Sequence, residues 1–351
     1  MIDCQMPDSS MDHFMEMLEK NAYEKCIPLK GTFELTARCN FDCNMCYVHL
    51  NERQIKEIGR EFTNEEWLEI ARQAKDAGML YLTLTGGEVF ARPHFRELYE
   101  TLSDMGFLIT ILSNGYLVDE KVIAWLKKRP PYSLRFTLYG MSNETYEKVC
   151  GVKDGFERVS HAIDLVKEAE IPFYMVSTLV KENEDDFEKM CHFSEAKRIL
   201  FSATPAIVKP VRGAVRDIEL HRIKQLKFYT KEIKQKRKDN PINYEISHIL
   251  EGCGNFRKGF WLTWDGKLQL CGFMHEPQIS LLENEFKEAW LKLLRRLIKM
   301  ELPKKCEGCK YSKFCARCPG ILSAECGNYD QITEAFCARA RKVYEEMSKG
   351  E

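Results

Sequence analysis

The sequence lacks several features that would assign its class at once. No apolar run approaches the roughly 18 to 20 residues that span a bilayer, and the N-terminus, MIDCQMPDSSMDHF, has no basic then apolar layout of a signal peptide. Charge is nearly absent in the balance: 52 basic against 53 acidic residues, net -1, which argues against a chain built to neutralise phosphate or to coat an acidic membrane. These absences point to a soluble, cytoplasmic protein with neither nucleic acid nor membrane as a partner. Cysteine is scarce from residue 47 to residue 252, where only Cys150 and Cys191 occur. The cysteine total is also odd, which suits a disulfide framework poorly.

Cysteine is nevertheless abundant overall, with 15 in 351 residues. In a reducing compartment such density means metal or catalysis. Three stand together at Cys39, Cys43 and Cys46, and eight fall in the last hundred residues: Cys253, Cys271, Cys306, Cys309, Cys315, Cys318, Cys326 and Cys337.

Met11, Phe14, Met15 and Leu18 have the spacing of one apolar helical stripe, so residues 9–20 are expected to form a helix. Short β-rich runs then alternate with helical patterns. The strand candidates are 31–37, 80–85, 107–112, 133–138, 173–178 and 199–204, and the helical stretches are 63–77, 93–105, 118–128, 142–149, 156–169 and 184–197. Thr63 with Glu66 forms a capping box at the start of the first of these. Six near-continuous apolar strands, each followed by a helix, predict a parallel α/β unit covered by helices. From Arg222 to Lys238 there are eight basic residues and one acidic, read as a solvated helix face or as a contact for a peptide or nucleic acid. Asp265-Gly266 signals a hairpin within FWLTWDGKLQLC. Helices are expected again at 283–299 and 331–347.

The loop Cys39-Asn-Phe-Asp-Cys43-Asn-Met-Cys46 follows the first strand immediately. Three thiolates converging there leave a four-iron cluster one ligand short, and the vacant iron can take an exogenous group; a zinc site or a chance cluster of buried cysteines is the alternative. At the end of the second strand, Gly86 and Gly87 let the backbone approach a ligand, and Glu88 offers an acceptor for an ammonium group.

Over residues 31–205 the chain resembles the radical S-adenosylmethionine (SAM) enzymes, whose motif is matched by Cys39, Cys43 and Cys46. The resemblance implies a partial (β/α)6, TIM-like barrel and a [4Fe-4S] cluster whose unique iron binds SAM. Gly86, Gly87 and Glu88 would hold the SAM amino group, with Ser113, Asn114 and Thr137 as ribose or carboxylate contacts. In the family that the chain resembles, many peptide-modifying members have Asp-Gly after the fourth strand and Arg-Gly about ten residues later. This chain has Tyr139-Gly140 and Cys150-Gly151 instead, so the SAM carboxylate finds no basic residue there.

The C-terminal cysteines resemble a SPASM domain, a small α+β unit with a β-hairpin that holds two auxiliary four-iron clusters. By that resemblance Cys253, Cys271 and Cys318 ligate the first, and Cys306, Cys309, Cys315 and Cys337 the second; a zinc ribbon is the alternative for the two C-x-x-C pairs. Cys326 is surplus: a late ligand, an active-site thiol or a bystander. Cys326 and Tyr139 are the catalytic candidates. The expected organisation is an N-terminal helical segment (1–30), a barrel (31–210), a basic helical bridge (211–250) and the SPASM unit (251–351). About 30 residues precede the first strand, fewer than a winged-helix recognition domain needs, so a leader peptide is expected to bind elsewhere or through a separate protein.

The resemblance implies reductive cleavage of SAM to a 5'-deoxyadenosyl radical, with flavodoxin or ferredoxin as electron donor. Hydrogen abstraction from a peptide or protein substrate would follow, maturing a ribosomally made peptide by crosslinking or epimerisation. The alternatives are a sulfatase-maturase-like oxidase, a small-molecule radical enzyme, or a non-catalytic iron-sulfur electron carrier.

Overall fold

The computed structural model describes residues 9–223, 248–250, 252–312, 315 and 317–348. The chain enters through α1 (Ser9–Lys25), then β1 (Lys30–Glu34), α2 (Glu52–Ile58), α3 (Asn64–Asp76), β2 (Tyr81–Thr85), α4 (Phe95–Asp104) and β3 (Leu108–Ser113). It continues through α5 (Glu120–Leu126), β4 (Ser133–Thr137), α6 (Asn143–Cys150), α7 (Gly155–Glu168), β5 (Phe173–Thr178), α8 (Phe187–Lys197) and β6 (Phe201–Thr204). Residues 205–223 form an irregular strap, and later in the chain come β7 (Gly259–Leu262), β8 (Lys267–Gln269), β9 (Gln278–Ser280), α9 (Phe286–Leu297), α10 (Pro319–Cys326) and α11 (Glu334–Ser348).

All six expected strands form, and they pair in parallel in the order β6-β5-β4-β3-β2-β1. The partial barrel is therefore borne out. Its outer face is apolar because alternate strand residues point at the helices: Phe33, Leu84, Ile111, Leu134, Phe136 and Met175 are fully buried. Phe33 packs on Trp67 of α3 at 4.9 Å between ring centroids. The inner face is different in kind, for Thr32, Thr83, Thr110, Arg135, Thr137 and Tyr174 are only half-buried.

The C-terminal hairpin does not build a sheet of its own. β7 pairs with β1 in parallel, Lys30↔Gly259 to Phe33↔Leu262, and β8 and β9 follow antiparallel. One nine-stranded sheet thus runs from β6 to β9. The hairpin turns at Gly266, whose positive φ of 83° suits the glycine of the expected turn.

Two expectations need adjusting. Of the apolar stripe on α1, Phe14 is 58% exposed, while Met15 meets the Tyr81 hydroxyl. The basic run lies outside the described residues from position 224 onward. Its first member, Arg222, is bound to Glu325 at 2.7 and 2.8 Å and to Glu219, so it belongs to a buried contact and not to a solvated basic face.

Candidate functional site

The three-cysteine loop is held from two sides. On one side, Gly87 N–H donates to Thr36 O at 2.7 Å and Glu88 N–H to Arg38 O at 2.9 Å, tying the end of β2 to the root of the loop. A Cβ at Gly86 would stand 2.4 Å from Thr36 O, and one at Gly87 2.0 Å from Arg38 O. This backbone crossing by itself requires glycine at both positions. On the other side, Asp42 N–H donates to Cys150 O and Asn44 N–H to Val149 O, seating the loop on the C-terminal end of α6.

Within the loop, Phe41 N–H points at Cys39 Sγ (3.4 Å) and His49 N–H at Cys46 Sγ (3.3 Å). Burial pushes the Cys39 thiol well up, reinforced by Glu88, Cys43 and Cys46. Burial, then Cys43, pushes Cys46 up to about 11. Cys43 is raised by its contact with the Cys150 thiol and by burial. Thiols raised in this way keep their protons until a cation displaces them. Three such sulfurs, two already met by backbone N–H groups, form a donor set that suits an iron-sulfur cluster. Asn40 Nδ2, buried beside Cys39 without a partner, leaves one more donor for that group.

Glu88 is fully buried and joins strand ends. Its oxygens accept from Ser113 Oγ (2.9 and 3.1 Å), Asn114 N (2.7 Å) and Phe90 N (3.0 Å), and burial raises it to about 7. Asn114 in turn donates to Asn40 Oδ1 at 2.9 Å and approaches Cys39 Sγ at 3.8 Å. Gly86, Gly87, Glu88, Ser113 and Asn114 thus gather at the ends of β2 and β3 beside Cys39. Thr137 stands on the inner face at the end of β4. Tyr139 lies beneath the loop: its ring meets Phe41 and Tyr146 edge-on, each at 6.1 Å, and its phenol, like the Cys150 thiol, approaches Cys43.

The C-terminal thiols fall into two groups. Cys271 is raised to about 12 by burial, then by Cys318 and Cys253; Cys253 is raised by burial and by Cys318. A Cβ on Gly320 of α10 would lie 2.8 Å from Cys271 Sγ and 3.8 Å from Cys318 Sγ, so the glycine keeps that space clear. In the second group Cys315 is raised to about 12 by burial, then by Cys306, Cys337 and Cys309. Cys326 stands apart, with Thr333 Oγ1 3.8 Å from its sulfur. Among the described residues no three His, Cys, Asp or Glu donors converge tightly enough for a single metal ion.

Other site residues are legible only in three dimensions. Arg212 grips Glu34 with Nε and Nη2 at 2.9 and 2.8 Å, Trp261 Nε1 donates to the same carboxylate at 2.8 Å, and the pair is buried. Arg216 bonds Asp42 inside the cysteine loop. Tyr47, next to Cys46, meets Phe273, two residues past Cys271, with ring centroids 4.9 Å apart. A lone acid in the apolar run GTFELTA was the one available signal for Glu34.

Residues 33–194 match the model of the radical SAM superfamily. The chain carries a radical SAM domain. The relatives of the chain include the AdoMet-dependent heme synthase of Methanosarcina barkeri, 24% identical over 335 residues, covering 87% of this chain and 95% of that one. They include the sporulation killing factor maturation protein SkfB of Bacillus subtilis, 25% identical, covering 74% of this chain and 63% of SkfB. The chain thus spans nearly all of the first relative but less than two thirds of the second. Among solved structures, Streptococcus suis SuiB superposes with a TM-score of 0.66 at 17% identity, over 95% of this chain and 83% of SuiB. SuiB has also been solved with S-adenosylmethionine and with its precursor peptide SuiA.

Proposed function

We propose that this radical SAM protein is a peptide-modifying enzyme of the SPASM type. The observation that carries the reading is the three-cysteine loop held between the end of β2 and α6, with Cys271 and Cys318 facing one cleared space at Gly320, in a fold that superposes on SuiB. Cys39, Cys43 and Cys46 would hold the SAM-binding [4Fe-4S] cluster, Cys253, Cys271 and Cys318 a first auxiliary cluster, and Cys306, Cys309, Cys315 and Cys337 a second. SAM would lie over Gly86, Gly87, Ser113, Asn114 and Thr137. When bound, the reduced cluster supplies the electron that splits SAM to methionine and a 5'-deoxyadenosyl radical able to take hydrogen from carbon.

The chain's own part is positioning. Glu88, saturated by Ser113, Asn114 and Phe90, locks the ends of β2 and β3 under the cofactor, and the α6 carbonyls fix the loop from the far side. The half-buried inner face gives a substrate access to the barrel. Water exclusion and a fixed approach of the target carbon are what such a reaction asks of the protein. The maturation role in the name of SkfB and the precursor peptide bound to SuiB support a peptide as substrate. A flavodoxin or ferredoxin would supply the electron. Among the described residues no helix is long and apolar enough to cross a membrane.

A second reading, a small-molecule radical enzyme, is favoured by the near full-length match to the heme synthase. The test is anaerobic reconstitution followed by iron and sulfide analysis and by incubation with SAM, dithionite and co-expressed candidate precursor peptides. About twelve irons per chain, release of 5'-deoxyadenosine and a mass change on a peptide support the proposal. About four irons, or turnover with no peptide altered, would remove the auxiliary clusters or the peptide.

A further inference from the structure

Charge on the inner face of the barrel does not cancel. By strand register its charged members on β1 to β6 are Lys30, Glu34 and Arg135, with the remaining positions taken by Thr32, Tyr81, Thr83, Thr85, Thr110, Leu112, Thr137, Tyr174 and their neighbours. Lys30 sits at the entry end of β1 and is paired with Glu19. Glu34 is consumed by Arg212 and Trp261. Arg135 remains. Its flanking partners in the sheet are Leu112 and Tyr174, and among the described residues no carboxylate reaches it.

A half-buried guanidinium in mid-strand, on a face whose other cation is matched to its own acid, is costly unless an anion arrives. Tyr174 supplies orientation without neutralising it, since the guanidinium carbon lies 5.7 Å from the ring centroid. The fork is thereby held in place, and a planar fork matches a carboxylate through two parallel hydrogen bonds. Arg135 also lies two residues before Thr137, one inner-face layer below the rim where Asn114 and Cys39 meet. A group bound there would lie inside the barrel, one layer below that rim.

We propose that Arg135, oriented by Tyr174, anchors a carboxylate of the substrate inside the barrel. The inference rests on the reading of the barrel as a radical SAM active site, and it narrows the substrate to one with an acidic side chain or a free carboxyl terminus.

The test uses the full-length, reconstituted protein and measures the rate at which phenylglyoxal modifies Arg135, read by peptide mass spectrometry. The probes are N-acetyl-glutamate amide, N-acetylglycine and, as the neutral counterpart, N-acetyl-glutamine amide. Protection by either carboxylate at about tenfold lower concentration than by the amide supports the anchor, and the stronger of the two tells side chain from terminus. Equal protection by the amide, or protection by SAM alone, overturns it. Arg135→Gln should keep its iron content, and its SAM affinity should stay within about twofold, because no cofactor contact is removed. Arg135→Lys should keep carboxylate binding in weakened form. Loss of SAM binding in Arg135→Gln would also overturn the proposal. Absence of iron or of 5'-deoxyadenosine in the unmodified protein would instead count against the enzyme reading, with the Arg135 result standing separately.

Discussion

Replacing Gly87 with alanine should loosen the root of the cysteine loop. The new methyl would lie 2.0 Å from Arg38 O, a main-chain atom that has no rotamer to change. The two strands of backbone must part by about 1 Å before such a contact becomes tolerable. That movement stretches Gly87 N–H···O Thr36 (2.7 Å) and Glu88 N–H···O Arg38 (2.9 Å) beyond useful length. Two lost backbone hydrogen bonds at about 1 kcal/mol each, with a similar amount for overpacking, give a destabilisation of about 3 kcal/mol. The assay is urea unfolding of the metal-free protein beside iron content after reconstitution. Gly254→Ala is the control, since nothing lies within 4 Å of its added Cβ. An unfolding free energy for Gly87→Ala within about 0.5 kcal/mol of the parent, with full iron retained, would refute the claim that the glycines serve the loop.

Gly320→Ala should lose about four irons per chain while leaving the SAM-binding cluster spectroscopically intact, because its Cβ invades the space beside Cys271 and Cys318. Arg212→Met should cost about 3 to 5 kcal/mol in denaturant unfolding by stranding Glu34, and adding Glu34→Gln should recover part of the loss. Glu88 has a folded-state value near 7, above its ordinary carboxylate value, so the metal-free fold binds the extra proton and should lose stability, on the order of 2 kcal/mol, as pH rises from about 4.5 to about 7. Thermal unfolding of Glu88→Gln across that window should lack this slope. Cys39→Ala should abolish 5'-deoxyadenosine release, whereas Cys309→Ala should lower iron content and leave SAM cleavage measurable in single turnover.

Local signals in the sequence were dependable where one element decides its own fate. The Thr63–Glu66 capping box forms, with Glu66 N–H donating to Thr63 Oγ1 and Thr63 N–H to Glu66 Oε2. The six apolar runs became strands because both the helix-covered face and sheet propensity favour them. The short helix α2 was missed although Asn51 and Gln54 cap it in the same manner, because seven residues carry too little periodicity to register. Pairing of β7 with β1 was invisible, since nothing in a five-residue run specifies a partner more than 220 positions away. Glu34 and Arg212, 178 residues apart, meet only because the strap after β6 returns across the barrel mouth. The glycines at 86 and 87 were found as special, but the atoms they make room for lie in another loop.

The shared strand β1 has a mechanical meaning. It feeds the cysteine loop at its end and forms the seam on which the C-terminal hairpin is sewn, so four successive residue pairs would have to separate before the auxiliary cysteines could swing away. Neighbouring strands are spaced at about 4.8 Å, which turns the sheet into a ruler between the first cysteine loop and the C-terminal cysteines. Any tunnelling rate between centres mounted on it would be set by the scaffold and indifferent to the size of the substrate. Variation in what is modified would then fall to loops and inner-face side chains, with the electron's path left unchanged.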